Sequence, residues 1–221
     1  MKKLDFPKSN DNSIGYSIFL PTDHSLDTKT PMIVFLHGAG ERGNGSSELH
    51  VLEKIGYSRY FKEGLLEVDA IVVTPQCPQG TVWNQHVFKV KAFIDKIISE
   101  YNVDENRVSL TGMSMGGFGT WEMAMTFPEM FSAIAPVCGG GMAWRAPVLK
   151  GMPVWAFHGD ADGTVNISNS VEMVNAARCY SSNVKFTVFN GVGHNSWDGA
   201  YLDTTVSEWL ISHDRRVRFE K

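Results

Sequence analysis

Leu110 to Trp121 reads LTGMSMGGFGTW, with Ser114 set between Gly112 and Gly116 and two more glycines at Gly117 and Gly119. Glycine gives up more backbone freedom on folding than any other residue, so such crowding needs a reason. The stretch continues the β-rich run RVSL (Arg107 to Leu110) and leads into a helix-like run that Pro128 stops after Phe127. GMSMG in a strand–turn–helix setting fits G-x-S-x-G, a strained turn whose small neighbours let backbones pack closely and whose serine projects above a sheet. That setting puts the Met115 N–H at a helix N-terminus, aimed at negative charge developing beside Ser114. A glycine-rich loop with a bystander serine is the rival reading of five residues alone. The strand before and the helix after make it the weaker one.

Outward from this turn, apolar β-rich runs alternate with helical patterns. PMIVFLHG (Pro31 to Gly38), DAIVVTPQCP (Asp69 to Pro78), FSAIAPVCGG (Phe131 to Gly140), MPVWAFHG (Met152 to Gly159) and VKFTVFNG (Val184 to Gly191) read as strands buried on both faces. GYSIFLP (Gly15 to Pro21) reads as an antiparallel edge strand. Val87, Val90, Phe93, Ile94, Ile97, Ile98 and Tyr101 make one helical stripe; Val171, Val174 and Ala177 outline another. Tyr201, Leu202, Thr205, Val206, Trp209 and Leu210 give a last helix, and SRYFKEGLLE offers a short one. This alternation predicts a mostly parallel central sheet with helices on both faces, in one domain spanning residues 1–221. About a dozen residues separate APVCGG from MPVW, too few for a large cap domain.

A serine hydroxyl needs a base and an orienting acid to act as a nucleophile. In a sheet of this kind their chain order is serine, then acid, then histidine. FHGDADGTV, after the strand PVWAF, offers Asp160 and Asp162; NGVGHNSW, after VKFTVF, offers His194. Both follow the carboxyl ends of predicted parallel strands, where open α/β sheets build their sites. The third piece is LHGAGERGNG, whose Ala39 N–H, with Gly40 as alternative, is placed to share an oxyanion with Met115. It fits neither a dinucleotide fingerprint nor a phosphate loop. His37 and His158 each precede a glycine at a strand end and are read as shaping the turn; His24, His50 and His213 are read as surface residues, and His86 as a helix start. No histidine pair has metal-ligand spacing.

Composition excludes several alternatives. The net charge of −4 gives no footing for a nucleic-acid partner. No apolar run is long enough to span a membrane. MKKLDFPKSNDNS lacks the apolar stretch of a signal peptide, and the odd set Cys77, Cys138 and Cys179 reads as reduced thiols, so a cytoplasmic setting is expected of the sequence as it stands. HDRRVRFEK is read as a solvated tail.

FLHGAGERG, TPQCPQGTVW, LTGMSMGGFGTW, FHGDADGTV and GVGHNSW together resemble the serine hydrolases of the α/β-hydrolase superfamily. Within it the chain is most similar to compact esterases known as phospholipase/carboxylesterase-like proteins or predicted peptidases, which also resemble feruloyl esterases and polyhydroxybutyrate depolymerases. The resemblance implies Ser114 as nucleophile, His194 as base and, from H-G-x-x-D, Asp162 rather than Asp160 as acid. It departs from the family at TVN, where Val-Pro is common. Trp83 and Trp197 flank the expected site, to hold an acyl or aromatic group or else to pack the core. The implied activity is cleavage of carboxylic esters, without a cofactor or metal, in an open cleft suited to a bulky or polymer-linked ester. A peptidase with the same three residues, and an inactive binding protein on the same fold, are the rivals.

Overall fold

The computed structural model describes residues 1–10 and 12–219. In chain order it has β1 (Lys2–Phe6), β2 (Tyr16–Leu20), β3 (Thr30–Leu36), α1 (Tyr57–Lys62), β4 (Ile71–Pro75), α2 (Val87–Glu100), β5 (Val103–Met113), α3 (Met115–Thr126), β6 (Ala133–Val137), β7 (Val154–Gly159), α4 (Ser168–Arg178), β8 (Val184–Phe189), α5 (Trp197–Leu202), α6 (Val206–Ile211) and α7 (Arg215–Phe219). The strands form one sheet in the order β1-β2-β4-β3-β5-β6-β7-β8. β4 through β8 and β3 run parallel, while β1 and β2 pair antiparallel at one edge.

The continuous apolar runs are what a sheet covered on both faces requires. Met32, Val34 and Leu36 turn to one face with Val108, Leu110 and Ile134, under Val90, Ile94 and Ile97 of α2 and Trp121 of α3. Ile33 and Phe35 turn to the other with Ala133, Ala135 and Val137, under Tyr57, Tyr201 and Leu210. Each such large side chain contributes about 1.5–3 kcal/mol on burial.

The strand order reverses at β3. The chain steps from β3 outward to β4, then returns to place β5 on the other side of β3. Ligands of open α/β sheets bind at the carboxyl ends of the strands beside such a reversal. Here those two ends carry the His37–Gly40 loop and Ser114.

Three expectations need correction. The sheet's outer antiparallel edge is β1, with GYSIFLP one place inward; β1 is short and begins with two lysines, which suits a strand edge open to solvent. The last helix is two helices. The Thr204 hydroxyl donates to the Ala200 carbonyl at 2.5 Å and accepts the Val206 N–H at 3.2 Å, replacing backbone bonds at the break. The tail is docked: Arg215 donates to the Glu129 carbonyl and Arg218 to those of Lys150 and Pro128. Its last two residues lie outside the described ones. Between β6 and β7 the connection holds a single 3₁₀ helix, Ala143–Leu149. Among the described residues no helix is long and apolar enough to cross a membrane.

Candidate active site

Ser114 occupies the turn between β5 and α3 at φ 55°, ψ −118°. Its N–H donates to the Val137 carbonyl at 2.9 Å, pinning the turn to β6. The glycines around it serve close approach. A Cβ on Gly116 would stand 1.8 Å from the Leu36 carbonyl oxygen, and one on Gly119 would stand 2.7 Å from the Trp83 Cβ. The crowding in the sequence is therefore the imprint of β3 and Trp83 pressing against the start of α3.

His194 comes from the loop after β8, and Asp162 from the loop after β7. The Ser114 Oγ lies 2.9 Å from His194 Nε2, and His194 Nδ1 lies 2.7 Å from Asp162 Oδ2. Asp162 Oδ1 accepts the N–H groups of Thr164 and Val165 at 2.8 and 2.9 Å. Burial works against charge on this carboxyl, yet the hydrogen bonds from His194, Val165 and Thr164 hold it below the ordinary carboxylate range. The carboxylate thus faces an Nδ1–H, which leaves Nε2 free to take the serine proton.

The two loops are laced together. The Ala161 N–H donates to the Val192 carbonyl, and the Gly191 N–H donates to Asp160 Oδ1 at 2.6 Å. Asp160 shapes the histidine's loop, while Asp162 meets the imidazole. The Trp197 ring stands at 90° to the His194 ring, with centroids 5.3 Å apart.

The Ala39–Gly40 turn opens a short 3₁₀ helix, Ala39–Glu41, and Met115 opens α3. The first N–H groups of a helix have no acceptor inside it, so each position offers a donor. Behind the turn, His37 is 1 % exposed. The Cys77 N–H donates to its Nε2 at 2.9 Å, so the ring hydrogen sits on Nδ1 and goes to the Gly38 carbonyl at 2.6 Å. Burial pushes this imidazole down to about 4. The buried Glu41 carboxyl, raised by desolvation, faces the amides of Gly38 and of Glu41 itself.

Trp83 is 1 % exposed, which leaves no face for an acyl group. The expectation of substrate contact is corrected there: its Nε1–H donates to the His37 carbonyl at 2.9 Å and holds the turn. Trp197, 8 % exposed, packs on the histidine and keeps only a thin open margin. Sequence reasoning missed Glu41 and Cys77 in this support; His37, expected to shape the turn, does so through the Gly38 carbonyl and the Cys77 N–H. A buried carboxylate has no periodicity, and the one available signal was its place four residues after His37.

The donor atoms of Cys138, Asp162 and His194 lie within 4.8 Å of one another, a grouping that a metal ion could use. Burial pushes the Cys138 thiol up to about 12, and a thiol held protonated is a poor metal ligand. Cys77, Cys138 and Cys179 are all free thiols, the last of them exposed.

The family model of the dienelactone hydrolase family matches residues 70–197. The chain belongs to this family. Its members are hydrolases, and the match runs from β4 to the tryptophan beside His194. The chain is 27 % identical over 157 residues to a bifunctional acetylxylan esterase/xylanase of Neocallimastix patriciarum, across 69 % of this chain and 22 % of the relative. It is 25 % identical over 144 residues to poly(3-hydroxyalkanoate) depolymerase C of Paucimonas lemoignei, across 58 % of this chain and 32 % of that one. It therefore spans less than half the length of these two curated relatives. The crystal structure of a thermostable esterase superposes with a TM-score of 0.81 at 32 % identity, over 96 % of this chain and 63 % of that chain.

Proposed function

We propose that this chain is a serine esterase that cleaves carboxylic esters through an acyl-enzyme. The observation that carries the reading is the unbroken run of hydrogen bonds from Ser114 Oγ through His194 to Asp162, at 2.9 and 2.7 Å. His194 Nε2 takes the hydroxyl proton as Ser114 Oγ attacks the ester carbonyl carbon. The N–H groups of Met115 and Ala39 stabilise the oxyanion, and Asp162 stabilises the imidazolium. Collapse expels the alcohol, which leaves with the proton from Nε2. Water, deprotonated by the same nitrogen, then releases the acid and restores Ser114. These steps use side chains, backbone amides and water alone.

The substrate class is an ester on a bulky or polymeric partner. Relatives named for acetylxylan and for poly(3-hydroxyalkanoate) support this, as does the short connection between β6 and β7, which leaves the strand ends uncovered by a large cap. Esters are favoured over peptides because an alkoxide leaves more readily than an amine. The test is a panel of aryl acetates, feruloyl esters, acetylated xylan and a peptide anilide, assayed with wild type and Ser114→Ala. Turnover of esters should fall by about 10⁴-fold or more in the variant, and fluorophosphonate labelling should vanish. Comparable kcat/KM on the anilide would make the protein a peptidase, and wild-type turnover by Ser114→Ala would remove the mechanism.

A further inference from the structure

The carboxylate of Asp162 is approached by two histidines. His194 reaches Oδ2 from the solvent side, and His158 reaches the same oxygen from inside the protein, its Nε2 at 3.3 Å. The His158 side chain is fully buried. Its Nε2 also lies 2.9 Å from the Val165 carbonyl oxygen. Both neighbours of this nitrogen are acceptors, so Nε2 carries a hydrogen. On the far side of the ring, Nδ1 lies 2.7 Å from Ser170 Oγ of α4, and that oxygen stands 2.9 Å from the Gly139 carbonyl oxygen. Gly139 packs on Gly117, so close that a Cβ on it would stand 2.4 Å from the Gly117 carbonyl carbon. One imidazole thus links the loop of the acid, α4 and the strand end that borders the nucleophile's helix.

We infer that His158 is a positioning residue for catalysis, acting through Asp162. Two amides fix Oδ1, one of them the N–H of Val165. His158 grips the carbonyl of that same Val165 and packs behind Oδ2, so the residue that donates to Oδ1 is held in place and the carboxylate keeps its aim on His194 Nδ1. A residue that merely filled the core would have no reason to hold the backbone of the residue whose N–H fixes the carboxylate. The inference rests on the esterase reading for its kinetic consequence, but its geometric content, the orientation of Asp162 toward His194, does not depend on which substrate is cleaved.

The test compares donors at one position. In His158→Gln the amide nitrogen falls near the place of Nε2, and the donor survives. In His158→Asn the amide nitrogen falls near Nδ1, and the donor to the Val165 carbonyl is lost. The Gln variant should keep kcat within about threefold of wild type. The Asn variant should lose about 10- to 100-fold in kcat with KM unchanged, the scale of a small misplacement of a catalytic group. A second readout is the far-downfield proton resonance of the His194–Asp162 bond in NMR, retained in Gln and lost or moved in Asn. This readout needs no substrate, so failure of the esterase reading is seen separately, as wild type that shows the resonance and cleaves no ester. Should Asn fail to fold, His158→Met, apolar and similar in size, is the donor-free variant. Wild-type kcat and an unmoved resonance in whichever donor-free variant folds would overturn the inference. So would equal losses in Gln and Asn that follow their melting temperatures.

Discussion

Trp83 Nε1–H donates to the His37 carbonyl oxygen at 2.9 Å, a bond between the 3₁₀ helix before α2 and the turn that precedes Ala39. Trp83→Phe keeps most of the packing and removes this donor. A buried carbonyl left unpaired costs about 1–3 kcal/mol, and the turn recovers part of it by moving. The expected outcome is a 10- to 100-fold loss of kcat with little change in KM across acyl chain lengths. A KM that follows acyl size instead would show that Trp83 touches the substrate.

Asp162 and Asp160 stand two residues apart and do different work. Asp162→Asn removes the carboxylate that meets His194 Nδ1 and favours the wrong tautomer, so kcat should fall by about 10⁴-fold. Asp160→Asn keeps an oxygen for the Gly191 N–H and should cost less than about tenfold. Steady-state kinetics on one aryl ester rank the two, and the reverse order would move the acid to Asp160.

Stability should fall on mild acidification. His37 is neutral in its buried site, held at about 4, whereas in the unfolded chain it titrates near an ordinary ~6.5. The unfolded state therefore binds the extra proton first. The full contribution is present above about pH 6.5 and is lost as pH falls toward about 4, a cost of roughly 3 kcal/mol. His86 and His213, also pushed down by burial, act in the same direction. Asp162, held low, adds its loss only below the ordinary carboxylate range. Urea titrations from pH 7.5 to 4 should show this slope, and His37→Gln should remove about one proton from it.

Gly116→Ala should unfold or strongly destabilise the chain, by about 3 kcal/mol or more, because the new methyl meets backbone and not a movable side chain. The urea midpoint reports it. A shift under about 0.5 kcal/mol would mean that β3 and α3 are farther apart than described.

Much of this was legible because the physics was local. A strand buried on both faces writes itself as an unbroken apolar run, and the turn at Ser114 writes itself in glycines. That Ser114 and His194 meet an aspartate followed from strand ends falling in a known order, while the choice of Asp162 over Asp160 came from the family resemblance. What stayed hidden depended on partners far along the chain. β1 carries too few apolar residues to stand out from a polar leader. The break at Thr204 is made by one hydroxyl that helical spacing does not register. Trp83 beside a motif looks alike whether it faces a ligand or a backbone carbonyl. Glu41 looks like surface charge until the turn closes over it.

β8 is the last strand of the sheet, paired on one side only, with its residues half-buried or exposed. His194 hangs from its end. Elements at the rim of a sheet open at lower free energy than those inside it. Ser114 sits in the turn that ends β5, deep in the sheet, and His194 sits on the rim, so the two partners of one hydrogen bond have unequal tolerance of heat. Warming should release the histidine while the interior strands remain paired. Activity would then fade below the melting temperature and return on cooling, with the far-ultraviolet dichroism unchanged.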